Sequence, residues 1–248
     1  FRRVLFRSGE HVYVPMHGDL LAALERESGL PAWTRTIDVA SEPAVGDGAV
    51  FAVSRGLIRA LEAGTGEDRW SVAIDSNIAA PLTWASGWLF AVLTSGDLLA
   101  LRAADGEIVW RHRLGSISSH RPVAFGPSLY LSLMNSQVVA LEVTTGKTLW
   151  QRKLPGTLSE PAAARDRVFV GSDNNFFYAL DAASGRDEWS WRNGGDVIGA
   201  TVDDDVVYFV SLDNILRAVN RGNGNQRWRK PTGTRPVLPP LAFKGVEI

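Results

Sequence analysis

Residues 169–189, FVGSDNNFFYALDAASGRDEW, decide the fold, because five further copies of this pattern occur in the chain. Each copy ends in a tryptophan that follows a glycine by four residues and an alanine by ten residues. The tryptophans are Trp33, Trp70, Trp110, Trp150, Trp189 and Trp228. The glycines are Gly29, Gly66, Gly106, Gly146, Gly185 and Gly224. A regular period of about 40 residues predicts a repeat architecture.

Each copy contains the signals of four short strands. A proline or its substitute opens the first strand, and a β-branched and aromatic run such as AVFAVS at residues 49–54 forms the second. A Gly- and Asn-rich turn leads to a third strand, and a loop ending in the repeat glycine leads to a fourth strand with the tryptophan. Helical spacing of apolar residues is missing. The sequence therefore predicts an all-β fold, a β-propeller of four-stranded antiparallel blades with a tryptophan packed between blades.

The repeats organise residues 1–248 as a single propeller domain of six blades, which end near the six tryptophans. Residues 231–248 predict a partial seventh blade, so we expect a piece of a seven- or eight-bladed propeller. Residues 1–8, FRRVLFRS, match no other copy. Two interpretations of them stay open, a cloning or sequence-assembly remnant and a divergent first strand.

Composition limits the classes of function. The 248 residues carry a formal charge of -1 and 45% hydrophobic residues, so no global field favours nucleic acid or an anionic membrane. Cysteine is absent, which excludes disulfides and thiolate metal sites. No apolar run is long enough to span a bilayer. We expect a monomeric propeller that neither inserts into a membrane nor binds nucleic acid.

The pattern VYVGSxDGxLYALDAxTGxxxW resembles the pyrroloquinoline quinone (PQQ) repeat, the tryptophan-docking propeller blade, and residues 169–189 follow it closely. This resemblance implies two kinds of function. Some members of the family are quinoprotein dehydrogenases that hold PQQ with calcium, often on a disulfide that this chain cannot form. Others are propellers without a cofactor, such as the BamB-like proteins that assist outer-membrane assembly. The resemblance also implies a periplasmic or outer-membrane-associated location.

Residues that break the repeat are the candidates for function. His120 and Arg121 replace small or acidic residues before a strand-opening proline, so Arg121 could bind an anion or remain an ordinary surface arginine. Trp191 is interpreted as lying in a connection between blades, where it could contact a ligand or partner or pack on the protein. The acidic segments 173–175 and 203–205 occupy turn positions, and the interpretation of both that needs no ligand is a solvated turn.

No catalytic constellation or metal-ligand spacing occurs in the sequence. The histidines His11, His17, His112 and His120 lack a zinc-binding pattern. We therefore expect no cofactor and a non-catalytic propeller that binds a protein partner, with an uncertain status as an enzyme. Two alternatives stay open. One is a fragment of a PQQ- and calcium-dependent dehydrogenase, and the other is an extracytoplasmic sensor or ligand-binding propeller.

Overall fold

Strands and turns make up residues 6–241, which are the part of the chain that the computed structural model describes. No helix occurs among these residues. Their contacts fall into two compact units, which divide between Arg121 and Pro122. Each unit holds three four-stranded antiparallel sheets. The six predicted repeats therefore correspond to six sheets in the described residues.

The first unit contains sheet 1 (β1–β4), sheet 2 (β5–β8) and sheet 3 (β9–β12). Its strands are β1 (Phe6–Ser8), β2 (His11–Met16), β3 (Leu20–Glu25), β4 (Pro31–Thr36), β5 (Ala44–Gly46), β6 (Ala49–Ser54), β7 (Leu57–Glu62), β8 (Asp68–Ala73), β9 (Thr83–Ala85), β10 (Trp88–Val92), β11 (Asp97–Arg102) and β12 (Ile108–Arg113).

The second unit contains sheet 4 (β13–β16), sheet 5 (β17–β20) and sheet 6 (β21–β24). Its strands are β13 (Val123–Phe125), β14 (Ser128–Ser132), β15 (Gln137–Glu142), β16 (Thr148–Lys153), β17 (Ala162–Ala164), β18 (Arg167–Gly171), β19 (Phe176–Asp181), β20 (Asp187–Arg192), β21 (Val197–Asp203), β22 (Val206–Ser211), β23 (Ile215–Asn220) and β24 (Gln226–Pro231).

Every sheet is a simple meander in which each strand pairs with the next strand in the sequence. The repeat alanine lies directly opposite the repeat tryptophan, as Ala140 lies opposite Trp150. Immediately after this pair the register of the third and fourth strands shifts by a bulge, in all six sheets. A small side chain at this position leaves room for the indole on the neighbouring strand, which accounts for the repeated alanine.

The hydrophobic core lies between consecutive sheets within each unit. In the first unit, Phe51, Leu89 and Leu99 are fully buried in one cluster. In the second unit, Phe177 and Phe209 are fully buried, and their rings stack with centroids 4.2 Å apart. The first strands of consecutive sheets also lie side by side within each unit. The apolar faces that a single sheet would expose are therefore covered by its neighbours.

The two ends of the sequence are described only in part. Phe6–Ser8 form β1 and pair with β2, whereas residues 1–5 lie outside the described residues. Residues 232–241 contain bends and irregular chain without a strand. The rest of the predicted seventh blade, residues 242–248, lies outside the described residues. The organisation as one domain of residues 1–248 stays a prediction.

Candidate functional site

The repeat tryptophans of the first unit join each sheet to the next one. The indole N–H of Trp33 donates to the carbonyl of Ala63 at 2.9 Å. The indole N–H of Trp70 donates to the carbonyl of Ala103 at 3.0 Å. Each acceptor lies in the hairpin loop between the third and fourth strands of the following sheet. We call the contact between a repeat tryptophan and this next hairpin the docking joint.

The second unit contains two docking joints of the same geometry. Trp150 donates to the carbonyl of Ala182 at 2.9 Å, and Trp189 donates to that of Arg221 at 3.1 Å. The hydroxyl of Tyr130 donates to the same Ala182 carbonyl at 3.3 Å, and its ring lies 6.0 Å from Trp150. Two donors from one sheet therefore meet a single acceptor in the next.

The repeat glycine completes each docking joint. Gly185 has φ +69°, and a Cβ added there would lie 2.5 Å from Cε3 of Trp150. Gly66 has φ +74°, and a Cβ there would lie 2.7 Å from Cδ2 of Trp33. The left-handed backbone disfavours a side chain, and the indole leaves no space for one. The repeat position therefore requires glycine for two reasons, the left-handed backbone and the indole that occupies the place of a Cβ.

The remaining repeat positions are Trp110, Gly146, Trp228 and Gly29. Trp110 pairs with its sheet in the usual register and lies 6.0 Å from Phe90, and Gly146 has φ +69°. Trp228 belongs to the last sheet and is 40% exposed. At Gly29, in the first sheet, an added Cβ would meet nothing within 4 Å. Within residues 6–241, Trp228 therefore contacts no following hairpin and Gly29 no preceding tryptophan.

Trp191 lies within a strand, so its placement in a connection between blades is wrong. It belongs to β20, which continues beyond the docking tryptophan and pairs Trp191 with Phe177. Its indole N–H donates to the carbonyl of Gly224 at 2.6 Å. In sheet 1, Arg35 occupies the same position and donates to the carbonyl of Gly66 at 2.5 Å. Trp191 therefore provides a second contact between sheets beside the docking joint.

Arg121 forms an ion pair with an acidic residue at the equivalent place of another repeat. Its Nη2 lies 2.9 Å from Oε2 of Glu42, and both side chains are largely buried. Glu42 and Arg121 each precede a strand-opening proline. The neighbouring His120 is partly buried, and its carbonyl accepts a hydrogen bond from the Ser118 hydroxyl at 2.9 Å. The pair thus links two repeats within the first unit.

The polar residues 173–175 stabilise the turn between β18 and β19. Oδ1 of Asp173 accepts a hydrogen bond from the backbone N–H of Thr157 at 2.8 Å. Oδ1 of Asn174 accepts one from Phe176 at 3.0 Å, and Asn175 takes the left-handed φ of +68°. The Asn174 bond is the local side-chain bond typical of an Asx turn, whereas the Asp173 bond ties the turn to the preceding connection.

The acidic residues 203–205 end β21 and form the turn into β22. Asp203 pairs within the sheet, and Asp204 has φ +44°. The carbonyl of Asp205 accepts a hydrogen bond from the backbone of Arg221 at 2.8 Å, and its carboxylate lies 3.9 Å from the Arg221 guanidinium. This segment connects the turn to the next hairpin of its own sheet.

The structure also contains a buried polar cluster that the sequence analysis missed. Arg217 is only 6% exposed, and its Nη2 lies 2.5 Å from Oδ2 of Asp213. The Ser211 hydroxyl donates to Oδ1 of Asp213 at 2.6 Å. Burial acts to raise the pKa of Asp213, but the hydrogen bonds from Arg217 and Ser211 outweigh it and hold the pKa below its ordinary value. The sequence signal that could have revealed this pair is the spacing of two opposite charges, Asp213 in the hairpin turn and Arg217 in the strand that follows it.

Calcium would require several oxygen ligands that converge on one point. Among residues 6–241, no group of three or more His, Asp or Glu side chains is placed to hold a metal ion. The acidic segments 173–175 and 203–205 bond to backbone and arginine groups nearby. The two acidic segments therefore serve the turns in which they lie. The same residues contain no helix that is long and apolar enough to cross a membrane.

Comparison with known families and proteins gives a consistent result. A family model described as outer membrane protein assembly factor BamB matches residues 54–153 and 134–243. The outer membrane protein assembly factor BamB of Yersinia pestis is 28% identical over 120 residues, which are 45% of this chain. This alignment spans 30% of the length of that curated relative.

Similar solved structures include BamB from Moraxella catarrhalis, with a TM-score of 0.76, 19% identity, and coverage of 93% of this chain and 73% of its own. A computationally designed protein has a TM-score of 0.76 and 16% identity, and the match covers 90% of this chain and 71% of that protein. The quinohemoprotein alcohol dehydrogenase ADHIIG from Pseudomonas putida HK5 has a TM-score of 0.72 and 12% identity. This match covers 91% of this chain and 58% of that enzyme. At these identities the likeness shows the fold alone, which is a β-propeller. Since the family model matches well over half of the chain, this protein belongs to the BamB family of PQQ-repeat propellers.

Proposed function

We propose that this protein is a non-catalytic scaffold that binds a protein partner during outer-membrane protein assembly, in the periplasm or at the outer membrane. Membership of the BamB family supports this function. The observation that carries it is the placement of the two methionines of the chain, Met16 and Met134. They are 50% and 65% exposed, and both lie where the second strand of a sheet turns into the third.

Exposed methionine is suited to binding proteins. Its flexible, polarisable side chain adapts to irregular apolar surfaces, and methionine is enriched at protein interfaces. In most folded proteins this side chain fills gaps in the core, but the buried core of the described residues consists of Leu, Ile, Val, Ala and aromatic residues. The side chains at both hairpins are therefore available to a partner.

The hairpin that carries Met134 is well defined. The backbone N–H of Leu133 donates to the carbonyl of Gln137 at 2.8 Å, and Ser136 takes the left-handed φ of +66°. The side-chain amide of Asn135 donates to Oε1 of Gln137 at 3.0 Å. A preorganised hairpin loses little conformational entropy when a partner binds. Met134 is thus presented on an ordered turn.

The experiment is a complementation assay in a Gram-negative bacterium that lacks its own BamB. We expect the protein, exported to the periplasm, to raise the amount of folded outer-membrane β-barrel protein, measured by heat-modifiable mobility. The double substitution Met16→Ala with Met134→Ala should remove most of this gain. Leu149→Ala, at an exposed apolar position of β16, is the matched control and should keep it. No gain from a folded, exported protein would contradict the proposal.

The non-catalytic part of the proposal has its own test. PQQ and Ca²⁺ are added to the purified protein, and the quinone absorbance, the melting temperature and dye-linked alcohol oxidation are recorded. We expect no spectral change, no thermal shift and no turnover. Turnover that depends on both PQQ and Ca²⁺ would overturn the non-catalytic assignment and favour the dehydrogenase alternative.

A further inference from the structure

Met134 carries one of the two side-chain sulfur atoms in the 248 residues, which contain two methionines and no cysteine. The residue is 65% exposed and lies in the hairpin between β14 and β15 of the second unit. An exposed methionine reacts with two-electron oxidants, which convert its thioether into a sulfoxide. Met134 is therefore the oxidisable side chain that this hairpin offers to solvent.

The hairpin of Met134 recurs in sheets 3 and 5. The N–H of Leu133 donates to the carbonyl of Gln137 at 2.8 Å, and the equivalent bond measures 2.8 Å in sheet 3 and 3.0 Å in sheet 5. The residue that follows the donor is Met134 in sheet 4, Thr94 in sheet 3 and Asp173 in sheet 5. The same exposed position of the turn thus holds an oxygen-bearing side chain in two other repeats.

The oxygen atoms at this position have defined partners. Oγ1 of Thr94 lies 2.8 Å from Oγ of Ser76. Oδ1 of Asp173 accepts a hydrogen bond from the backbone N–H of Thr157 at 2.8 Å. Ser76 and Thr157 belong to the connections that lead into sheets 3 and 5. A polar oxygen on this side chain is therefore compatible with the hairpin, and a sulfoxide at Met134 leaves the fold intact.

Oxidation of Met134 changes the polarity of the surface that the hairpin presents. A thioether is apolar and adapts to an apolar partner. A sulfoxide is polar, and its oxygen must find a hydrogen-bond donor when a partner covers it. The same oxygen is solvated in the free protein. The oxidised side chain therefore weakens partner binding without weakening the folded state.

We propose that Met134 is a reversible oxidation site that controls the binding of the protein partner, an inference that rests on the function proposed above. A peroxide transfers one oxygen atom to the sulfur of Met134. The O–O bond breaks, an S–O bond forms, the sulfur loses two electrons, and the other peroxide oxygen leaves as water. A methionine sulfoxide reductase reverses the change, since its dithiol supplies two electrons and becomes a disulfide while the sulfoxide oxygen leaves as water.

The first test uses purified protein with Met16→Leu, which keeps Met134 as the single methionine of residues 1–248. Hydrogen peroxide is added, and the peptide that contains Met134 is followed by mass spectrometry. We expect a rate of oxidation within about threefold of that of free methionine, because the side chain is exposed. The midpoint of urea denaturation should not change, and a methionine sulfoxide reductase with dithiothreitol should restore the original mass.

Two results of this test would overturn the proposal. One is a rate of oxidation below about a tenth of that of free methionine, which would show a protected sulfur. The other is a loss of stability on oxidation, which would show damage to the fold.

The second test uses the complementation assay described above. Met134→Gln places an oxygen on the side chain, whereas Met134→Leu stays apolar and cannot be oxidised. The gain in folded outer-membrane protein should be at least about threefold smaller for Met134→Gln than for Met134→Leu. Leu149→Gln, at a 46% exposed apolar position of β16, is the matched control and should keep the gain of the wild type.

Equal gains for the two Met134 variants would overturn control by oxidation. A wild type without any gain would contradict the proposed function instead. The measurements on purified protein then still decide whether Met134 is a reversible oxidation site.

Discussion

The docking joint predicts that equivalent tryptophans contribute unequally to stability. Trp150 and Trp228 occupy the same position in their repeats, and each lies opposite an alanine on the neighbouring strand. Trp150 belongs to a complete joint, whereas Trp228 has no following sheet in the described residues. Substituting each by alanine therefore compares a tryptophan in its joint with one outside it.

The structure gives the size of the difference. Trp150 is 8% and Trp228 is 40% exposed. A tryptophan can bury about 250 Å², so Trp150 buries about 80 Å² more, which is worth about 2 kcal/mol at about 25 cal/mol per Å². The hydrogen bond of Trp150 to the Ala182 carbonyl adds about 1 kcal/mol. That carbonyl keeps the Tyr130 hydroxyl, so no further penalty arises for an unpaired acceptor. We expect Trp150→Ala to lower the free energy of unfolding by about 3 kcal/mol more than Trp228→Ala does.

The assay is urea denaturation followed by far-UV circular dichroism. The total effect of Trp150→Ala should be about 4 kcal/mol, within the range measured for buried tryptophans. If the two substitutions cost the same, the docking joint is not the source of the difference and the reasoning fails.

Three further predictions concern the repeat glycine, the contact that Trp191 makes beside the docking joint, and the buried Asp213 with its effect on the pH dependence of stability. Gly185→Ala should cost at least about 2 kcal/mol more than Gly56→Ala in urea denaturation, since both have positive φ but only the first meets an indole. Trp191→Phe should cost about 1 kcal/mol by the same assay, the value of its hydrogen bond to the next hairpin. Asp213→Asn should cost about 3 kcal/mol at pH 7, because it leaves Arg217 buried without its carboxylate. The lowered pKa of Asp213 stabilises the fold above the ordinary carboxyl pKa, and this contribution is lost as the pH falls through about 4 towards the lower folded value. Unfolding at pH 7 and pH 3 should therefore differ less for Asp213→Asn than for the wild type.

The repeat pattern contained most of the information on the fold. A tryptophan, glycine and alanine at fixed spacing recur because each takes part in the same joint, so their period reports the period of the sheets. The β-propeller with four-stranded antiparallel blades is confirmed for this reason. The family is confirmed as well, because the same spacing defines it.

Side-chain partners were harder to predict than positions. Trp191 follows the docking tryptophan by two residues, and the sequence alone does not show how far a strand continues. The partner of Arg121 is Glu42, which lies 79 residues earlier. Pairing over such a distance depends on how sheets stack, which local patterns do not encode. The Asp213–Arg217 pair is only four residues apart, but its burial depends on neighbouring sheets, which the sequence alone does not show.

The docking joint also affects how such proteins can change in evolution. Each joint needs one indole, with the alanine opposite it, from a repeat and a glycine hairpin from the repeat that follows. A duplicated or deleted unit of about 40 residues therefore brings or removes a matching pair of surfaces together. The number of repeats can then change in a single genetic step without new mutations at the contact. Each tryptophan still docks on the hairpin of the repeat that follows it.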